Sequence, residues 1–125
     1  MRVLFVAAVL AGLAGCGGPK DVTAGGKPIE YWFEALSSPD ARLRREAVTK
    51  LGHVGPENTA VLPALVAALR DADAEVRRAS VLALSTCGEA GREAIPALVE
   101  VRRSDPSARV RDHAARALAA LERKE

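Results

Sequence analysis

The amino-acid sequence predicts an all-α fold, an α-α superhelix of about three two-helix repeats. Three observations carry that prediction. A segment of 14 residues recurs at offsets of 33 and then 34, a second apolar segment recurs between its copies, and aromatic residues make up only 3% of a chain that is 49% hydrophobic. Strands favour aromatic and β-branched residues, so an apolar share dominated by Leu and Ala argues against a β-sandwich, and its size argues against disorder. At 125 residues the chain has room for one domain.

From the N-terminus, Arg2 precedes an uncharged apolar run from Val3 to Leu13. A bilayer-spanning helix needs roughly 20 apolar residues. This run stops earlier, at Gly15, Cys16, Gly17, Gly18 and Pro19, and so predicts a signal peptide over residues 1–15. The tetrapeptide Leu13-Ala14-Gly15-Cys16 resembles the lipobox of bacterial lipoproteins. That resemblance implies that Cys16 carries diacylglycerol on its sulfur and becomes the first residue after cleavage. Each buried CH₂ of an acyl chain contributes about 0.8 kcal/mol, so two or three chains give a durable membrane anchor. The resemblance implies a lipid-anchored protein on the extracytoplasmic (periplasmic) side of the cell membrane or outer membrane, and Gly17 in place of Asp favours the outer membrane.

Residues 16–28 then follow as the lipidated cysteine and a linker. The stretch GGPKDVTAGGKP from Gly17 to Pro28 has no hydrophobic periodicity and is rich in glycine and proline, which predicts a flexible tether of roughly 20 Å.

The solenoid is expected over residues 29–122. Its first helices are IEYWFEAL (Ile29 to Leu36), LPALVAAL (Leu62 to Leu69) and IPALVEVR (Ile95 to Arg102), with apolar residues at i, i+3, i+4 and i+7 until Arg102 breaks the series. Its second helices are SPDARLRREAVTKL (Ser38 to Leu51), DADAEVRRASVLAL (Asp71 to Leu84) and DPSARVRDHAARAL (Asp105 to Leu118). In these the spacing from Leu43, Val76 and Val110 to the closing leucines marks one helical stripe. Ser38, Asp71 and Asp105 are expected as N-caps, with Pro39 and Pro106 at the first helical position. Gly52, Gly55, Gly88 and Gly91 are expected to separate the helices. A two-helix unit of this length cannot bury its stripe alone, so the copies must stack.

These units resemble HEAT repeats, and in their short period, Pro-Ala-Leu first helix and V-R-x-x-A-x-x-A-L second helix they resemble the short variety named after phycobilisome lyases. The resemblance implies a ladder between neighbouring units built from an Asp before the second helix and an Arg six residues later. Asp71 with Arg77 and Asp105 with Arg111 match it. The first unit carries Ser38 with Arg44 and departs from it.

No catalytic, metal-binding or cofactor-binding residue is expected. His53 and His113 fall in different units with no activated hydroxyl nearby, and no Cys-x-x-Cys spacing exists. Cys87 aligns with Val54 and reads as a small apolar plug. The formal charge is +2, from 18 Lys and Arg against 16 Asp and Glu, and removal of Arg2 lowers it further. Glu46, Asp73, Glu75 and Asp112 are interleaved with Arg44, Arg45, Arg77, Arg78 and Arg111, so nucleic acid is not expected as a partner. Tyr31 lies outside the core stripe and is a candidate partner contact. The end face around Leu118 and Leu121 is expected to be open to self-association. The sequence therefore points to a non-enzymatic, lipid-anchored protein-interaction module with an unknown protein partner and no small-molecule substrate. The alternatives are a bilin-lyase-like enzyme or lyase subunit, suggested by the repeat variety alone, and a nucleic-acid-binding solenoid.

Overall fold

The structure, a computed structural model, describes residues 23–123. The signal peptide, Cys16 and the start of the linker lie outside the described residues. The chain runs β1 (Thr23–Ala24), β2 (Lys27–Pro28), α1 (Ile29–Ala35), α2 (Ala41–Val54), α3 (Val61–Ala68), α4 (Ala74–Ser85), a 3-10 helix (Gly88–Ala94), α5 (Ile95–Ser104) and α6 (Ala108–Glu122). The pairs α1/α2, α3/α4 and α5/α6 are the three repeats, and no described helix is long and apolar enough to cross a membrane.

Each helix forms along an apolar stripe, and the first helices of the repeats do so without a side-chain cap. Ile29, Trp32 and Ala35 of α1 are buried, as are Val61 and Leu65 of α3 and Leu98 of α5. The second helices bury a thicker stripe: Ala47, Val48 and Leu51 in α2, Val76, Ser80, Val81 and Leu84 in α4, and Val110, Ala114, Leu118 and Leu121 in α6. Consecutive second helices pack directly on one another, whereas α1, α3 and α5 scarcely meet, so the array curves with its second helices on the inside.

The second helices start two residues later than the sequence spacing suggests. Their N-caps are Asp40, Asp73 and Ser107, whose side chains accept from the backbone N–H groups of Arg42, of Glu75 and Val76, and of Val110. Ser38, Asp71 and Asp105 are therefore not caps, and Pro39 and Pro106 precede the caps instead of opening the helices. Residues 38, 71 and 105 instead close a turn onto the N–H two residues ahead, at 3.0, 2.9 and 2.9 Å, and the carboxylates of Asp71 and Asp105 also meet arginines of the preceding repeat. Gly52 also differs from expectation, for it lies inside α2. A Cβ there would sit 2.8 Å from the Cβ of Ala83, so glycine permits the close crossing of α2 and α4.

Two further features complete the array. The last six residues of the expected linker form an antiparallel hairpin, Thr23 opposite Pro28 and Ala24 opposite Lys27. Gly25 and Gly26 supply the two positive φ angles, 61° and 80°, that a two-residue turn of this hand requires. The indole N–H of Trp32 donates to the Ala24 carbonyl at 2.7 Å, fastening the hairpin over the first repeat. At the other end Leu118 and Leu121 are 2% and 4% exposed. They are core residues and do not form an open end face, because α6 turns that stripe towards α5, α4 and the 3-10 helix. Residues further round the last unit differ from their counterparts. Arg102 is exposed where Leu69 is buried, and Ala115 is partly buried where Val48 and Val81 are fully buried.

Candidate functional site

The conserved chemistry within the chain's own three copies is a ladder of arginines and aspartates along the starts of the second helices. Arg44 Nε and Nη2 donate to the two carboxylate oxygens of Asp71 at 2.8 and 2.9 Å. Arg77 repeats the arrangement one unit later, donating to Asp105 at 2.8 and 3.0 Å. Each arginine also turns its Nη1 back to its own unit, Arg44 to the Ser38 carbonyl, Arg77 to the Asp71 carbonyl and Arg111 to the Asp105 carbonyl, at 2.8, 2.8 and 2.6 Å. One guanidinium thus bridges the loop of its own repeat and the carboxylate of the next.

This geometry accounts for the first repeat's departure from the pattern. No unit among the described residues precedes Ser38, so an Asp there would have no arginine to meet. Serine keeps the turn onto Asp40 without a buried charge. Arg44, which the departure left open, is fully engaged, whereas Arg111 has no carboxylate partner among the described residues.

Burial tends to raise the carboxyls of Asp71 and Asp105, but the arginine hydrogen bonds, together with the N–H groups of Asp73 and Ser107, outweigh it and hold both below the usual carboxylate range. Asp71 holds Arg44 correspondingly upward. These are structural ion pairs, planar and bidentate as only arginine allows. Ser80 and Asp105 are the buried polar residues among those described. The Ser80 hydroxyl donates to the Leu65 carbonyl and ties α4 to α3.

The remaining candidates are spent on packing or lie at the surface. Tyr31 is half-buried, edge-on to Trp32 at a centroid distance of 4.8 Å, with Lys27 Nζ 4.7 Å over its ring. Cys87 is buried, its thiol directed at the Ala83 carbonyl, and burial pushes that thiol up, away from the reactive thiolate. His113 Nδ1 contacts the Arg109 carbonyl at 2.9 Å. His53 is exposed and borders a groove of about 340 Å³ between α2 and α4, with Arg45, Thr49, Arg78 and Leu82 along its walls. Leu82, 43% exposed, is the one large exposed hydrophobic residue among those described. No cluster of His, Cys, Asp and Glu among the described residues has metal-holding geometry.

Sequence reasoning missed the groove, whose signal was available in part. Thr49, Leu82 and Arg116 occupy one aligned position in the three copies, and Leu82 is apolar where helical phase faces it outward.

No protein of curated function is similar enough to count as a relative. The family model for HEAT repeats matches residues 29–119, the three helix pairs up to the last turn of α6. The paired helices, their stacking and that match lead to one conclusion: the chain belongs to the HEAT repeat family, whose helical arrays are scaffolds and protein-interaction modules.

Proposed function

We propose that the protein is a lipid-anchored, non-catalytic scaffold that holds a partner protein at the cell envelope through the face formed by its second helices. The observation that carries the non-catalytic reading is the fate of its buried polar groups. Ser80 and Asp105 both spend their polar atoms on joining helices, whereas a catalytic group needs an unspent donor or base in a cleft. The anchor rests on the apolar run from Val3 and on Leu13-Ala14-Gly15-Cys16.

The second-helix face suits docking better than either end. At the C-terminal end Arg102, Ala115 and Ala119 offer little apolar area for a second copy, and at the N-terminal end the hairpin covers Trp32. Tyr31, beside Lys27, is a secondary contact at that end.

The test is the intact mass of the native protein extracted with detergent from the membrane fraction of its own cells. A mass equal to Cys16–Glu125 plus acyl chains is expected. An unprocessed Met1–Glu125 would overturn the anchor and reopen the cytosolic alternatives.

A further inference from the structure

The inner face carries an uneven distribution of charge that identifies the kind of partner. Arg45 on α2 and Arg78 on α4 share one aligned position and line its groove; Asp112 takes that position in the third repeat, and Arg109, one helical turn earlier on α6, lies near enough to Glu75 to act on its charge. Between them is Glu75, which accepts from Arg78 Nε and Nη2 at 3.0 and 2.8 Å. Its carboxyl is held down by that hydrogen bond and by the charges of Arg78, Arg109 and Arg45. One carboxylate therefore faces three guanidinium groups. Arg45 and Arg109 form no ion pair among the described residues, and Arg42 extends the basic side along α2. The other ion pair on this face among the described residues is that of Arg116 with Asp112, at 2.9 Å. Amid these charges lies the exposed Leu82 and the groove left by Gly52.

We propose that this face binds an extended acidic segment of a partner protein, with carboxylates on Arg45 and Arg109 and one aliphatic side chain on Leu82. The inference rests on the docking reading above and gives it a ligand class. Packed helices lie about 10 Å apart, and an extended chain rising about 3.1 Å per residue brings every third side chain to the same side at nearly that interval. An acidic residue at every third position thus keeps step with the repeats, and can meet Arg45 in the first and Arg109 in the third, on either side of Leu82. Nucleic acid fits less well, because Glu46, Glu75 and Asp112 would oppose a continuous phosphate backbone. The chain's aromatic residues in the described region, Tyr31, Trp32 and Phe33, are also all on α1, away from this face, so no base can stack there.

The test is fluorescence anisotropy with the full chain in detergent and a labelled Glu-rich peptide carrying a central Leu. Binding is expected to weaken about tenfold in the Arg45→Glu/Arg109→Glu double variant and about fivefold in Leu82→Ala. Arg103→Glu on α5, the same charge reversal at one site away from the face, is expected to leave it unchanged. Circular dichroism keeps loss of fold separate from loss of binding. No binding, equal weakening by Arg103→Glu, or tighter binding of a thymidine oligonucleotide than of the peptide would each overturn the proposal. A photo-crosslinker at Leu82 in the native cells separates the two readings. A crosslinked partner without an acidic segment ends the acidic-ligand inference and leaves docking standing, whereas no crosslink there or at Thr49 ends both.

Discussion

Arg77 grips Asp105 across the boundary between the second and third repeats, with Nε and Nη2 on the two carboxylate oxygens at 2.8 and 3.0 Å. The Asp105 side chain is only 4% exposed. Removing one partner of such a pair leaves an uncompensated buried charge, a cost of about 3 kcal/mol. Arg77→Ala is therefore expected to lower the unfolding free energy by about that amount in urea denaturation. Arg111→Ala loses one hydrogen bond to a backbone carbonyl, and about 1 kcal/mol is expected. Equal losses in the two variants would show that the bridge between repeats is not what stabilises the array.

Asp71 and Asp105 also make stability depend on pH. Both are held below the usual carboxylate range in the folded state. The stabilisation is therefore complete above the unfolded value of about 3.9 and is lost as pH falls through the folded values. The urea midpoint is expected to decline as pH falls below about 4. Asp71→Asn/Asp105→Asn is expected to be less stable at neutral pH and to show a flatter decline. A double variant as steep as the wild type would place the acid sensitivity in other carboxylates.

Gly52→Ala is a case where helix propensity and packing oppose each other. Alanine favours a helix interior by about 1 kcal/mol. Here its Cβ would meet the Ala83 Cβ at 2.8 Å, and neither atom belongs to a flexible side chain. Overpacking costs about 1–3 kcal/mol, so net destabilisation is expected, with partial rescue by Ala83→Gly. The thermal midpoints of the two single variants and the pair measure the coupling.

Trp32 is the only tryptophan of the chain, so its fluorescence reports directly on the hairpin. Trp32→Phe removes the donor to the Ala24 carbonyl, and a loss of about 1–2 kcal/mol is expected. In the wild type, Gly25→Val places a branched residue at a φ of +61° and presses on Lys50. A red shift of the Trp32 emission is expected as the hairpin lifts away.

The C-terminal end supplies a prediction about assembly. Arg102 and Ala115 stand where Leu69 and Val81 are buried against the next repeat. Arg102→Leu/Ala115→Val rebuilds an interior-type surface on an exposed end and is expected to raise the sedimentation coefficient at high concentration. An unchanged coefficient would mean that these two residues do not terminate the stacking.

Much of the fold is legible in the residues themselves. The offset of 33 and the stripes of α1 to α6 are periodic patterns, and Ile29, Leu65 and Leu98 take their places from helical phase alone. The helix starts are less legible, since each copy carries two adjacent candidates for the cap, Ser38 and Asp40, Asp71 and Asp73, Asp105 and Ser107. Local propensity cannot choose between them. In the second and third copies the choice falls on Asp73 and Ser107, because Asp71 and Asp105 are claimed by an arginine 27 or 28 residues away. The candidate site is legible to a smaller degree. The aligned arginines can be read, but which carboxylate each one meets depends on the rotation of one repeat against its neighbour.

The sequence by itself determined the class of structure, the number of repeats and the core residues of the first two repeats, because these follow from local periodicity and from the inability of one helix pair to bury its own apolar stripe. The tertiary structure alone decided that Leu118 and Leu121 are interior, that the end of the linker caps Trp32, and that Arg45, Arg78 and Arg109 share a face around Glu75. Each of those outcomes depends on how one repeat seats on the next, a relation set by long-range packing that no local spacing encodes.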